Sequence, residues 1–143
     1  MKRTFLWLSL LVVLGSFIST DKTQILLKKW VLVEFITPRL ERNFKLRGIT
    51  QERRTTVMKK LVKDSFVHFY ENGTYETSIL GSETERMHWK LSENDSILLV
   101  RKSLDFEPKP IELEELNKNK LIMVLPDIEG EYTRMIFVPE DNN

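Results

Sequence analysis

Ser65-Phe66-Val67-His68-Phe69-Tyr70-Glu71-Asn72-Gly73-Thr74-Tyr75-Glu76-Thr77-Ser78-Ile79-Leu80 decides the fold of this chain. Aromatic and β-branched residues dominate both arms of the stretch, and such residues fit a pleated, half-buried surface. Asn72-Gly73 lies between them, and both residues tolerate positive φ, which makes this the strongest hairpin signal in the sequence. Two arms joined by so short a loop pair antiparallel, so a mainly β, antiparallel chain is the first expectation.

Working towards the C-terminus, Met87-His88-Trp89-Lys90-Leu91 and Ile97-Leu98-Leu99-Val100-Arg101 read as two further strands, joined through Glu93-Asn94-Asp95-Ser96. In the first of them Met87, Trp89 and Leu91 share one face, with His88 and Lys90 on the other. Pro108 and Pro110 interrupt an extended tract, after which Ile111, Leu113 and Leu116 continue the pattern. Asn117-Lys118-Asn119-Lys120 makes a turn into Leu121-Ile122-Met123-Val124-Leu125, and a last strand spans Glu131 to Val138. Towards the N-terminus, Gln24–Lys29 is a short approach to the strand Trp30-Val31-Leu32-Val33-Glu34-Phe35-Ile36, which Pro38 ends.

Between Arg39 and Asp64 the period changes. Leu40 and Phe44 are four apart, and Val57/Leu61 and Met58/Val62 repeat that spacing, so one or two helices follow the first strand. Thr50 is placed to cap the second segment, with Glu52 near its positive end and Lys59, Lys60 and Lys63 near its negative end. The charged side of this excursion reads as a solvated face.

The strand candidates number eight, and their short connections favour a meander. An up-and-down eight-stranded barrel removes unpaired edges and explains the pattern; a β-sandwich of the same length is the alternative. Eight strands enclose an interior just wide enough to be filled by side chains or to hold one small ligand.

The beginning of the chain bears on its compartment. Lys2 and Arg3 precede an uncharged run of seventeen residues, Thr4–Thr20, the signature of a signal peptide or of an uncleaved membrane anchor. Residues 1–20 are therefore expected to direct export, to a periplasmic or extracellular location, and residues 21–143 to form one domain. The sequence holds no cysteine, so packing alone must stabilise that domain. The overall charge of +1 hides a division: residues 38–64 hold nine basic and three acidic residues, whereas residues 71–143 hold eight basic and sixteen acidic. The basic segment suits an anionic membrane surface or an envelope protein, or neutralises the acidic remainder within the monomer.

Chemistry-bearing patterns are sparse. His68 and His88 stand twenty positions apart and make no compact metal motif, and no hydrolase elbow, phosphate loop or zinc-protease helix is spelled out. The expectation is a non-enzymatic domain with no cofactor and no metal. The basic tract lacks interleaved aromatic platforms, which argues against nucleic acid. Asn72-Gly73-Thr74 and Asn94-Asp95-Ser96 match glycan-acceptor spelling, but both asparagines have a turn role that needs no modification.

Lys29-Trp30-Val31-Leu32, then Phe69-Tyr70-Glu71-Asn72-Gly73-Thr74-Tyr75, then Met87-His88-Trp89-Lys90-Leu91-Ser92-Glu93-Asn94-Asp95, resemble the exported lipocalin-like domains of bacteria. Those families place a tryptophan in the first strand, an aromatic strand entering a glycine turn, and a tryptophan strand before a polar turn. The resemblance spans Leu27 to Val138. It departs from the better-known lipocalins at Lys28, which stands where they carry a glycine two residues before the tryptophan. It implies a lipocalin-like β-barrel that binds a small hydrophobic or amphipathic molecule. Trp30, Phe69, Tyr75, Trp89, Leu99 and Phe137 are the ligand-binding candidates if the barrel holds a cavity, and the core residues if it does not. A structural or protein-interaction role at the cell envelope is the second expectation.

Overall fold

The computed structural model describes residues 21–126 and 130–140. The export segment expected at residues 1–20 lies outside the described residues. Helix α1 (Lys22–Leu26) leads into strand β1 (Lys29–Ile36), and helices α2 (Pro38–Leu46) and α3 (Gln51–Leu61) follow it. Seven further strands follow among the described residues: β2 (Phe66–Phe69), β3 (Thr74–Ser78), β4 (Glu85–Leu91), β5 (Ile97–Arg101), β6 (Lys109–Asn117), β7 (Lys120–Pro126) and β8 (Tyr132–Pro139).

Each strand pairs antiparallel with its neighbour in sequence, and β8 pairs back onto β1, so the sheet is a closed eight-stranded barrel. That last pairing, with Leu32 opposite Phe137 and Phe35 opposite Met135, rules out the two-sheet sandwich. The expected eight-stranded meander with helices after the first strand is the observed fold.

The hairpin of β2 and β3 forms with a three-residue loop. Gly73 N–H donates to the Tyr70 carbonyl at 3.2 Å and Tyr70 N–H to the Thr74 carbonyl at 2.9 Å. Gly73 takes a φ of +78°, while Asn72 does not enter the left-handed region. The turn therefore uses the glycine for its conformation and the asparagine for its side chain, whose Oδ1 accepts from Thr74 N–H at 3.0 Å. Asn94 does the same in the β4–β5 turn, accepting from Ser92, from Ser96 Oγ and from Ser96 N–H.

Two features differ from the expected pattern. The approach before β1 is a short helix: Asp21 caps α1, its side chain accepting from Thr23 N–H at 2.9 Å. Pro110, expected to interrupt a strand, lies inside β6 opposite Leu99, near the strand's start. Two bulges also shift the side-chain alternation, one between Leu32 and Glu34 in β1 and one between Leu113 and Glu115 in β6. Beyond each bulge the inward residues change parity, to Phe35 and to Leu116, so neither strand turns a carboxylate into the core.

Because the strands alternate in direction, the connections divide between two ends. At one end lie α1 and the β2–β3, β4–β5 and β6–β7 turns. At the other lie α2–α3 and the β3–β4, β5–β6 and β7–β8 connections. Thr37 caps α2 by accepting from Leu40 N–H, with Pro38 at the first helical position, so the proline that ends β1 also begins the helix. Thr50 caps α3 as expected.

Candidate functional site

Large side chains pack the core at the α1 end. Leu26 and Trp30 are both 0% exposed, and the Trp30 indole N–H donates to the Leu26 carbonyl at 3.1 Å. Phe69 stacks on Tyr75 with ring centroids 5.4 Å apart and meets Trp89 edge-on at 5.3 Å. The Trp89 indole N–H reaches the carbonyls of Thr74 and Tyr70 at 3.0 and 3.3 Å, which fixes the ring against the hairpin turn. Phe137 completes this layer, again 0% exposed.

Four of the six candidates, Trp30, Phe69, Tyr75 and Phe137, thus lie in the buried core cluster, and Trp89 packs against it half-buried. Leu99 does not join them. It alternates with the inward residues Leu98 and Val100 and faces outward, where it lines with Trp89, His88 and Arg101 a solvent-open groove of about 460 Å³. His68 alternates with Val67 and Phe69 on the outer face of β2 and stacks on Tyr70 at 4.2 Å.

One inward layer was not foreseen. Moving from the α1 end towards the α2–α3 end, the next core-packed residue after Trp89 on β4 is Met87, after Leu121 on β7 is Met123, and after Phe137 on β8 is Met135. Met123 and Met135 are directly opposite each other, and Met87 is opposite Tyr75. Met58 of α3 is buried in the same cluster, together with Phe44 of α2. On β4, β7 and β8 a methionine therefore follows an inward Trp, Leu or Phe towards the end where the helices lie. Thioether side chains are unbranched and polarizable, and they repack around irregular shapes at small cost. Single methionines inside strand patterns read as filler; only their shared step beyond an inward Trp, Leu or Phe reveals them as a set.

The helical cover is tied to the barrel by charge. Arg42 of α2 donates to both carboxylate oxygens of Glu131, at 2.7 and 3.3 Å, and Arg54 of α3 donates to both oxygens of Glu41 in α2. Around the same end the β3–β4 and β5–β6 connections expose Leu80, Leu104 and Phe106, and Tyr132 is exposed where β8 begins. Between α2 and the outer face of β6–β8, Ile36, Pro38, Val124 and Tyr132 line an apolar groove of about 410 Å³. Arg134 reaches that groove paired with Glu114, and this hydrogen-bonded guanidinium holds the Glu114 carboxyl below its usual range.

Tyr75 is the buried titratable group of the layer. Burial, with Glu85 as the lesser cause, pushes its phenol well above the ordinary value, so it stays neutral, and its hydroxyl lies 3.6 Å from the Met87 sulfur.

No protein-family model matches the chain, and no curated protein matches it. Among solved structures it is similar to a DUF4847 family protein from Bacteroides vulgatus, at a TM-score of 0.50 and 15% identity, over 83% of this chain and 96% of that one. That likeness is one of fold. The eight-stranded antiparallel barrel is consistent with a lipocalin-like architecture in general terms, and such a barrel is compatible with small-molecule binding in general.

Proposed function

We propose that the chain is an exported, non-enzymatic member of the bacterial lipocalin-like domains that binds a small hydrophobic or amphipathic molecule within the barrel. The observation that carries this reading is that Met87, Met123 and Met135 follow an inward Trp, Leu or Phe on β4, β7 and β8 towards the α2–α3 end, with Met58 of α3 in the same core. The aromatic layer of Trp30, Phe69 and Phe137 forms the floor of the site and gives it a fixed shape. The methionines are the walls that yield. A ligand enters from the α2–α3 end, where Leu80, Leu104 and Phe106 offer an apolar approach, and the Arg42–Glu131 pair is the contact that opens. In this reading Tyr75, neutral and adjacent to Met87, offers one polar group to orient an amphipathic molecule.

The test is purification of the chain from the cell that makes it, followed by unbiased mass spectrometry of bound small molecules. The expected result is an apolar or amphipathic compound that co-purifies in stoichiometric amount and is held less well by a Met123→Phe variant, whose ring takes up interior space while the core stays apolar. Repeated recovery of the folded chain with no such compound, and no uptake of lipid extract added afterwards, contradicts it. A role as a protein-interaction domain at the envelope is the second reading, favoured by the exposed apolar residues around one barrel end.

A further inference from the structure

The α2–α3 excursion carries a surface that the barrel does not use. Its inward side is Leu40, Phe44, Met58 and Val62, all packed on the core. Leu46 and Leu61 lie outside that set. Leu46 is 84% exposed at the end of α2 between Lys45 and Arg47, and Leu61 is 40% exposed at the end of α3, after Lys59 and Lys60 and shortly before Lys63. Of the nine cations in residues 38–64, only Arg42 and Arg54 are in ion pairs among the described residues. The other seven are exposed. Glu41 is spent on Arg54, which leaves Glu52 and Asp64 as the opposing charges of the excursion.

We propose that this helical surface docks on an anionic phospholipid bilayer, with Leu46 and Leu61 at the acyl boundary and the cations among the headgroups. Charge complementarity selects that occupant. A protein interface needs a contiguous desolvated centre depleted of charge, and here each apolar side chain stands alone among lysines and arginines. Isolated apolar side chains ringed by long cationic ones match a headgroup region, where the stems snorkel and the leucines are covered. The acidic residues Glu83, Asp105 and Glu107 on the neighbouring β3–β4 and β5–β6 connections confine the contact to the helices rather than the whole barrel end. The docking requires no ligand in the barrel and stands apart from the function proposed above.

The experiment is co-sedimentation of the full chain with large unilamellar vesicles of phosphatidylcholine alone and of phosphatidylcholine with 30 mol% phosphatidylglycerol. Neutral vesicles measure the apolar binding that residues 1–20 produce, and the part of the anionic increment lost on substituting lysines of α3 measures the helical surface, since Lys2 and Arg3 add to the remainder. Affinity for the anionic vesicles is expected to exceed that for neutral ones by more than about tenfold at low salt and to fall as salt rises. Each near-surface cation is worth about fivefold, so Lys59→Glu/Lys60→Glu, both exposed, removes most of the increment while the chain stays folded, with a small drop in melting temperature because both lysines also lie at the negative end of α3. Leu46→Asn is expected to weaken binding several-fold and leave the salt dependence unchanged. Equal binding to both vesicle types, an increment that survives Lys59→Glu/Lys60→Glu, or self-association through Leu46 in place of vesicle binding would overturn the proposal.

Discussion

The Trp30 indole N–H donates to the Leu26 carbonyl at 3.1 Å, binding the first strand of the barrel to the helix four residues before it. Both residues are fully buried, so this contact holds the α1 end with one hydrogen bond and two large apolar surfaces. Trp30→Phe removes the donor and part of the ring. The Leu26 carbonyl keeps a second partner in the Lys28 N–H at 2.6 Å, so no acceptor is orphaned. A loss of about 2 kcal/mol follows from the lost bond and the residual cavity. Urea denaturation should show a lower midpoint at an unchanged slope; an unchanged midpoint would mean that the α1 end contributes little to stability.

Gly73 makes the β2–β3 turn possible through its backbone rather than through space. Its φ is +78°, and a Cβ there would meet only the Trp89 carbonyl oxygen at 3.8 Å, an ordinary contact. Gly73→Ala should therefore cost about 1–2 kcal/mol, the penalty of a left-handed L-residue. Gly73→Asn should cost less, because asparagine visits that region more readily. Thermal melting of the two variants distinguishes this from a steric clash, which would make the larger asparagine the worse of the pair.

The hairpin, the helical excursion, the Thr50 cap and most strand positions were legible because each rests on local chemistry: a glycine turn, a change of period, a capping hydroxyl. Closure was legible only as an inference from the meander, since nothing local tells Leu32 that Phe137 is its partner. The bulges show the limit from the other side. Ile111, Leu113 and Leu116 break strict alternation in the sequence, and the extra residue at Glu114 explains the break. Val33 does the same in β1 but left no mark, because Leu32, Val33 and Phe35 are all apolar and either parity looks acceptable. For the site, large aromatic residues correctly indicated an inside and an outside, and four of them lie in the core. They could not say by themselves whether that inside is filled by side chains or holds a ligand. Leu99 fell on the outer face because Ile97-Leu98-Leu99-Val100 is apolar throughout, so the facing had to come from pairing with β4 and β6.

Tyr75 gives the core an alkaline limit. Its phenol is raised above the ordinary value of 10.0 by burial, with Glu85 a smaller cause. The unfolded chain releases this proton first, so the stabilisation is fully present below about pH 10 and is lost as pH climbs from there towards the folded value. Urea titrations of the wild type between pH 8 and pH 11 should show stability falling in that window. Tyr75→Phe should flatten the part of the fall that Tyr75 causes; an identical pH profile in the variant would place the phenol in contact with water.

Glu76 of β3 joins Arg86 of β4 and Tyr70, just after β2, in a surface network. Arg86 donates to its carboxylate at 2.5 Å and the Tyr70 hydroxyl donates at 2.9 Å, and these bonds hold its carboxyl below the usual range, Arg86 contributing more. The pair favours the fold above the ordinary carboxyl range, and that preference fades as pH falls through the lowered value. Side-chain NMR titration should find Glu76 protonating later in acid than an unpaired glutamate. Arg86→Ala should move it back up, with little effect on melting temperature because the partners are exposed.

The central claim is that the barrel interior is rigid at the α1 end and adaptable beneath α2–α3. Methionine methyl groups report on it directly. The chain labelled with ¹³C at its methionine methyls and ¹⁵N at its tryptophan indoles is titrated with lauric acid and with a mixed lipid extract, and both sets of signals are followed. Saturable shifts of the Met58, Met87, Met123 and Met135 methyls, with the Trp30 indole signal unmoved, are the predicted result. Methionine signals that stay fixed through the whole titration, or shifts centred on Trp30 instead, would contradict it.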